Sequence, residues 1–255
     1  MDLKAALSIV SRFTDTKSTE RGEHTVRLSA GKIRASTAIS GCSIPVPSVN
    51  VEANVPLRDL RRIASVVESP VLSVKRSTLH ITDPASTFKL KLFPEAKLLP
   101  YPDEPDASAW TPIDGNTMST LSALTGVLEG SAESANSLGA LRVTDKWAAS
   151  ATQAMLVVLT KSLGVSEPVT VAPEAVAGLS GTEAGGWICV DDNKLWVKDA
   201  ATEQVRWAQA LVTPWPDSIV DSMLPSVRGS DGRIEVQSSL SALKGLSDRA
   251  KLLMA

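Results

Sequence analysis

Histidine and cysteine occur only twice each in the 255 residues, beside one tyrosine and three phenylalanines. These scarcities exclude much chemistry. His24 and His80 are the only imidazoles, so a Ser-His-Asp arrangement has few options, and neither stands near a G-x-S-x-G elbow. Cys42 and Cys189 lie far apart, with no Cys or His at metal-ligand spacing. A reduced intracellular protein with no metal site is therefore expected. No phosphate-binding G-x-x-x-x-G-K-[ST] loop and no dinucleotide fingerprint is present. The Gly-rich "GLSGTEAGG" has no Lys and reads as a loop, and the Asp191-Asp192 pair reads as a turn rather than a catalytic dyad. No apolar run reaches the length of a bilayer span. The opening "MDLKAALSIVSRFTDTK" has an acid at once and no small-residue cleavage signal, so a cytoplasmic protein is expected. Neither an enzyme nor a cofactor is expected.

What is present is a moderately apolar chain, 43% hydrophobic and 21% charged, as suits a globular protein. Six of its ten aromatics are Trp. The net charge of −2 hides an asymmetry. Residues 1–108 carry 15 Lys and Arg against 12 Asp and Glu, residues 109–225 carry 6 against 13, and residues 226–255 carry 5 against 3. Regions so different in charge suit different partners.

The chain repeats itself. "VLSVKRSTLHITD" places Val74, Leu79 and Ile81 where "WICVDDNKLWVKD" places Val190, Leu195 and Val197, each pair 116 residues apart. Each stretch reads as strand, polar turn and strand. Upstream, "VPLRDLRRIASVV" and "VAPEAVAGLSG" carry helical spacing, with Leu60 and Ile63 matching Val176 and Leu179 at the same offset. Downstream, "TFKLKLF" and "EQVRWAQALV" are strands, and Tyr101-Pro102-Asp103 and Trp215-Pro216-Asp217 close the units. "TLSAL" at 120–124 and "SLSAL" at 239–243 then begin the next helix. The spacing predicts an α+β repeat of two helices on antiparallel sheets, with domains at 1–108 and 109–225. Residues 226–255 would supply the strand ("RIEVQ") and helix that start a third unit, or a swapped extension. "FPEAKLLPYPDEPDASAWTP" reads as an extended linker.

In this order of elements the chain resembles the bacterial-type DNA sliding clamp, the β subunit of the replicative polymerase. "ALRVTDKWAASA", through Thr144, Asp145 and Trp147-Ala148, is similar to the family's strand-turn "ATDGHRLA". "TPWPDSIVDSMLPSVRGSDGRIEVQSSLSALKGLSDRAKLLMA" is similar to the family's passage from second to third domain. The resemblance implies a tandem, ring-forming clamp fold that encloses duplex DNA and tethers a polymerase, with a clamp loader as a further partner. Family clamps have three domains per chain. Two here imply a homo-oligomer of three chains rather than two, and a source such as a phage.

Position on the repeat then gives candidate sites. Phosphate contacts fall to Lys4 and Arg12 on the first helix, and to Lys17 and Arg21 after it. Arg58, Arg61 and Arg62 follow on the second helix, and Lys244, Arg249 and Lys251 near the end. The same residues on ordinary solvated faces are the plainer alternative. The resemblance places a partner-peptide groove at Thr144, Trp147, Pro216, Ile219, Val220 and Met223. Trp147 reads equally as a peptide anchor or a core side chain. The helical stretches of the second unit hold no Lys or Arg. That favours an alternative from another class, a clamp-fold interaction module that does not encircle DNA.

Overall fold

Asp2 starts the first helix. Its carboxylate accepts the Ala5 backbone N–H at 2.7 Å, which pairs a donor that the first turn leaves free. Leu3, Ala6, Leu7 and Val10 then fall on one buried stripe of α1 (Leu3–Val10). Pro56, whose ring fixes φ, precedes α2 (Leu57–Ala64), which buries Leu57, Leu60, Ile63 and Ala64. α3 (Gly115–Gly126) opens on Asp114, whose carboxylate accepts the Thr117 N–H at 2.7 Å. The structure is a computed structural model that describes residues 1–14, 21–95, 98–126, 140–151, 156–173, 176, 184–212, 215, 217, 218 and 220.

Strands β1 (Thr25–Ser29), β2 (Lys32–Ser36), β3 (Ser40–Pro45) and β4 (Ala53–Pro56) pair antiparallel in the order β4-β1-β2-β3. A meander of β5 (Val71–Lys75), β6 (Thr78–Thr82) and β7 (Thr87–Lys91) follows. After β8 (Thr111–Ile113) and α3 the pattern returns. β9 (Leu141–Val143), β10 (Ala148–Ala151), β11 (Leu156–Leu159) and β12 (Val169–Val171) pair as β12-β9-β10-β11. A second meander of β13 (Gly186–Asp191), β14 (Lys194–Asp199) and β15 (Val205–Gln209) closes the series.

The repetition extends to single hydrogen bonds. Asp83 Oδ1 accepts the N–H groups of Ala85 and Ser86, and Asp199 Oδ1, 116 residues on, accepts those of Ala201 and Thr202. Phe93 donates to the Asn54 carbonyl, and Leu211 to that of Thr170, both at 2.7 Å. Each bond pins the exit of a meander to the strand before it. The turn between β13 and β14 holds Asp192 and Asn193 at φ 48° and 54°, the left-handed pair that a two-residue hairpin asks for.

The two copies share one sheet. β3 pairs antiparallel with β15, setting Ser43 opposite Val205, Cys42 opposite Arg206 and Gly41 opposite Trp207. The result is an eight-stranded sheet, β4-β1-β2-β3-β15-β14-β13-β8. Gly41 is required at this joint, because a Cβ there would stand 2.6 Å from Trp207 Nε1 and 2.8 Å from the Ala35 carbonyl. α1 and α2 pack on each other and with Val26, Leu28, Ile33 and Ile44 in one core. A second core gathers Met118, Leu121 and Leu124 of α3 with Val143, Ile188 and Leu195.

The opposite face of the joint holds an aromatic layer. Tyr101 meets Trp207 edge-on at 6.4 Å, and Trp207 lies 6.3 Å from Trp196. Trp110 packs against the same cluster. The linker thus lies along the joint, held by rings whose pairings contribute about 1 kcal/mol each beyond their burial. On the helix side, Arg206 is buried and donates to Gln204 Oε1 at 3.2 and 2.9 Å, with its guanidinium 5.8 Å from the Phe13 ring. Burial pulls its pKa down to about 10, which leaves it charged at neutral pH.

Both thiols are buried, and burial pushes Cys42 and Cys189 up to about 12 from 9.0. A group whose folded pKa is raised stabilises fully below its unfolded pKa and loses that contribution as pH rises toward the folded one. Stability should therefore fall between pH 9 and 12, by about 1 kcal/mol per pH unit for each thiol. Chemical denaturation across that range checks this. The Cys42→Ala/Cys189→Ala variant should show a flatter alkaline limb.

Candidate nucleic-acid interface and partner groove

Helical geometry sorts the basic residues of the first copy. With Leu57, Leu60, Ile63 and Ala64 turned inward, Arg58, Arg61 and Arg62 stand exposed on the other side of α2. No ion-pair partner reaches these three among the described residues. Arg61 and Arg62 also sit in the last turn, where a cation suits the helix dipole. Lys4 is exposed on α1, the neighbour of α2, and Arg12 is exposed in the short turn Ser11–Phe13 that follows it. The structure thus gathers Lys4, Arg12, Arg58, Arg61 and Arg62 on one helix pair. Lys17, Lys244, Arg249, Lys251 and the side chain of Arg21 lie outside the described residues.

α3, the counterpart of α1, presents a different surface. Its exposed positions are Asn116, Ser119 and Ala123, all neutral. Lys161, which reaches the start of α3, is already engaged: it pairs with Asp114 and donates to Thr117 Oγ1 at 2.7 Å. The Lys161 ammonium, with the Thr117 N–H and hydroxyl behind it, holds the Asp114 carboxyl well below the ordinary carboxylate range. Lys161 and Asp114 together carry no net charge, so this end of α3 adds little attraction for a phosphate.

The groove residues also come together in part. Thr144 builds the turn after β9: its Oγ1 donates to the Trp147 carbonyl at 2.8 Å and accepts the Trp147 N–H at 3.0 Å. Trp147 packs with Ala149, Ala151, Trp215 and Val220, flanked by Leu156 and Val158. It is only 3% exposed, so its ring is part of this cluster's core rather than a free-standing anchor. Pro216, Ile219 and Met223 lie outside the described residues.

One residue here was not singled out from the sequence. Arg142 grips Asp217 with two parallel bonds, Nε to Oδ1 at 3.0 Å and a terminal nitrogen to Oδ2 at 2.6 Å, and also donates to Thr170 Oγ1 at 3.2 Å. This fork ties the aromatic-Pro-Asp step to β9 and β12 and seats Trp215 and Val220 over Trp147. Asp217 stood in a recognised motif, whereas Arg142 gave no signal, because nothing local marks a strand Arg as the partner of a residue 75 positions on. Asp217→Asn and Arg142→Gln should each destabilise by about 1–2 kcal/mol, with a coupling of about 1 kcal/mol in the double-mutant cycle. Denaturant titration with Trp fluorescence reads both quantities.

Comparison with solved structures places this geometry. The Helicobacter pylori beta clamp bound to a DNA ligase peptide superposes with a TM-score of 0.67 at 16% identity, covering 86% of this chain and 66% of that one. The Thermotoga maritima DNA polymerase III beta subunit gives 0.67 at 14%, covering 90% and 66%. The Bacillus subtilis DNA polymerase sliding clamp gives 0.67 at 12%, covering 90% and 66%. No family model matches the chain, and no curated protein sequence matches it. The fold is therefore the α+β fold of the DNA sliding clamps. Within that class, the neighbours named here are bacterial DNA polymerase III beta clamps, and this chain spans about two thirds of their length. Among the described residues, no helix is long and apolar enough to cross a membrane, and no cluster of three or more His, Cys, Asp or Glu is placed to hold a metal.

Proposed function

We propose that the protein is a DNA sliding clamp, a processivity factor that closes as a ring of identical chains around duplex DNA and tethers a polymerase. The joint between the two copies carries this reading. β3 of the first copy meets β15 of the second edge to edge. Each copy therefore offers one edge of each kind, and among the described residues two remain unpaired: β7, the counterpart of β15, and β11, the counterpart of β3. Unpaired edges of complementary kind invite the same pairing between chains. Transferring the register of the internal joint sets Thr87 opposite Val158 and Phe88 opposite Val157 of the next copy. Three chains of two copies each supply six units, so we favour a trimer.

Lys4, Arg12, Arg58, Arg61 and Arg62 then meet phosphates through charge alone. Such contact is blind to sequence and permits sliding. The first copy supplies the attraction and the neutral α3 little, with Lys17, Arg21, Lys244, Arg249 and Lys251 as further contacts. Polymerase and loader peptides would dock beside Thr144, Trp147 and the 215–223 segment; that clamps take up peptides is supported by the Helicobacter clamp, which is bound to a DNA ligase peptide. The chain itself carries out no bond-making step and works in the cytoplasm. Assembly in the presence of plasmid tests the reading. Chains concentrated from a dissociated dilution with nicked circular DNA should co-elute with the circle at moderate salt and leave after linearisation. Equal loss from both forms would support the interaction module.

A further inference from the structure

The two meanders differ at one edge. In the second copy β8 covers the outer edge of β13, with Ile113 opposite Gly186, Pro112 opposite Trp187 and Thr111 opposite Ile188. In the first copy β5 ends its sheet, and no described strand lies on it. The side chains register the difference. Val74 is 36% exposed, whereas its counterpart Val190 is 8% exposed. Val71 is 65% exposed and Val66, five residues before it in the chain, is 66% exposed; with Val74 these are three of the six exposed large apolar side chains among the described residues. An open edge bordered by valines favours an added strand.

We propose that residues 233–237 of one copy add as a strand to β5 of the next copy in the ring. Two further observations choose this occupant. Arg233-Ile234-Glu235-Val236-Gln237 alternates polar and apolar, the pattern of a half-buried strand, and it precedes "SSLSAL" much as β8 precedes α3. The connections also match. After β7, 19 residues lead to β8, which docks on the meander of the following unit; after β15, 23 residues lead to Arg233. In the ring, the unit that follows a second copy is the first copy of the neighbour, whose β5 is bare. The strand would face Pro70, Val71 and Leu72, the positions that match Gly186, Trp187 and Ile188 across the 116-residue repeat. It would cover Val71 and Val74 and bind neighbours together through main-chain bonds independent of the β7–β11 joint.

This inference rests on the ring reading, so the experiment probes both joints in the full chain. Val71→Cys is combined in turn with Cys at each of positions 233 to 237, and Thr87→Cys/Val158→Cys probes the ring joint. After mild oxidation, denaturing gels under non-reducing conditions read the products. The expected result is covalent multimers from one or two adjacent positions of the scan and none from Val71→Cys alone. Cross-links confined within single chains overturn the proposal, and so does absence of any cross-link at position 71. If positions 87 and 158 still cross-link between chains in that case, the ring reading stands and only the swapped strand falls. If neither joint cross-links, both fall.

Discussion

Duplex DNA binding by the Arg58→Glu/Arg61→Glu/Arg62→Glu variant should fall by on the order of 100-fold at low salt, and the slope of log K against log salt should flatten by about 3. The physical basis is counterion release. Each cation resting on a phosphate displaces about 0.9 of a condensed counterion, and reversed charges replace attraction with repulsion. The three side chains are exposed and face away from the stripe that α2 buries, so folding should be spared. An unchanged denaturation midpoint checks that control. A matched variant of α3, Asn116→Glu/Ser119→Glu, should change the slope far less, because that face holds no cation to lose. Fluorescence anisotropy across a salt series measures both. Unaltered binding by the triple variant would move the DNA contact elsewhere.

Lys89→Pro should dissociate the assembly while leaving the chain folded. The internal joint shows why. Gln209 donates its N–H across it to the Ile39 carbonyl, whereas Ala210 donates back to Asn193. In β15 the odd-numbered residues therefore turn their backbone groups toward β3. The first meander repeats the scheme, with Leu92 donating to Ser77 as Ala210 does to Asn193. Lys89, the counterpart of Trp207, thus turns its N–H toward the free edge of β7. Proline there removes an interchain donor and sets a ring against the incoming strand, but spares the bonds to β6. The assembly constant should fall on the order of 100-fold, whereas Lys89→Ala should leave it unchanged. Sedimentation over a dilution series reads the shift.

The repeat was legible in the sequence because its strongest determinants are local. Val74, Leu79 and Ile81 and their counterparts keep period-two alternation around a tight turn, and Asp83 and Asp199 cap the same following bend. The exposed Arg58, Arg61 and Arg62 were legible too, since the spacing of Leu57, Leu60 and Ile63 fixes which side of α2 they occupy. The joint was not. Pairing of β3 with β15 joins residues more than 160 positions apart, and Gly41 shows its role only once Trp207 lies against it. Arg206 stands in "VRWAQ" as an ordinary strand cation, and its burial follows from the two sheets meeting above Phe13. The six Trp residues were visible as an anomaly without a place. Trp196, Trp207 and Trp110 proved to form the layer that holds the linker against the joint. Trp147 stood equally open to two readings, and the Arg142–Asp217 fork, by holding Trp215 and Val220 over it, places its ring in a core.

The mass of the full chain in solution, taken by light scattering at concentrations where sheet edges can meet, tests most directly whether two copies of one architecture close into a ring. Three chain masses, steady over a tenfold range of concentration, are what the edge pairing requires. A single chain mass throughout that range would mean that β7 and β11 do not meet, and the ring would be lost with them.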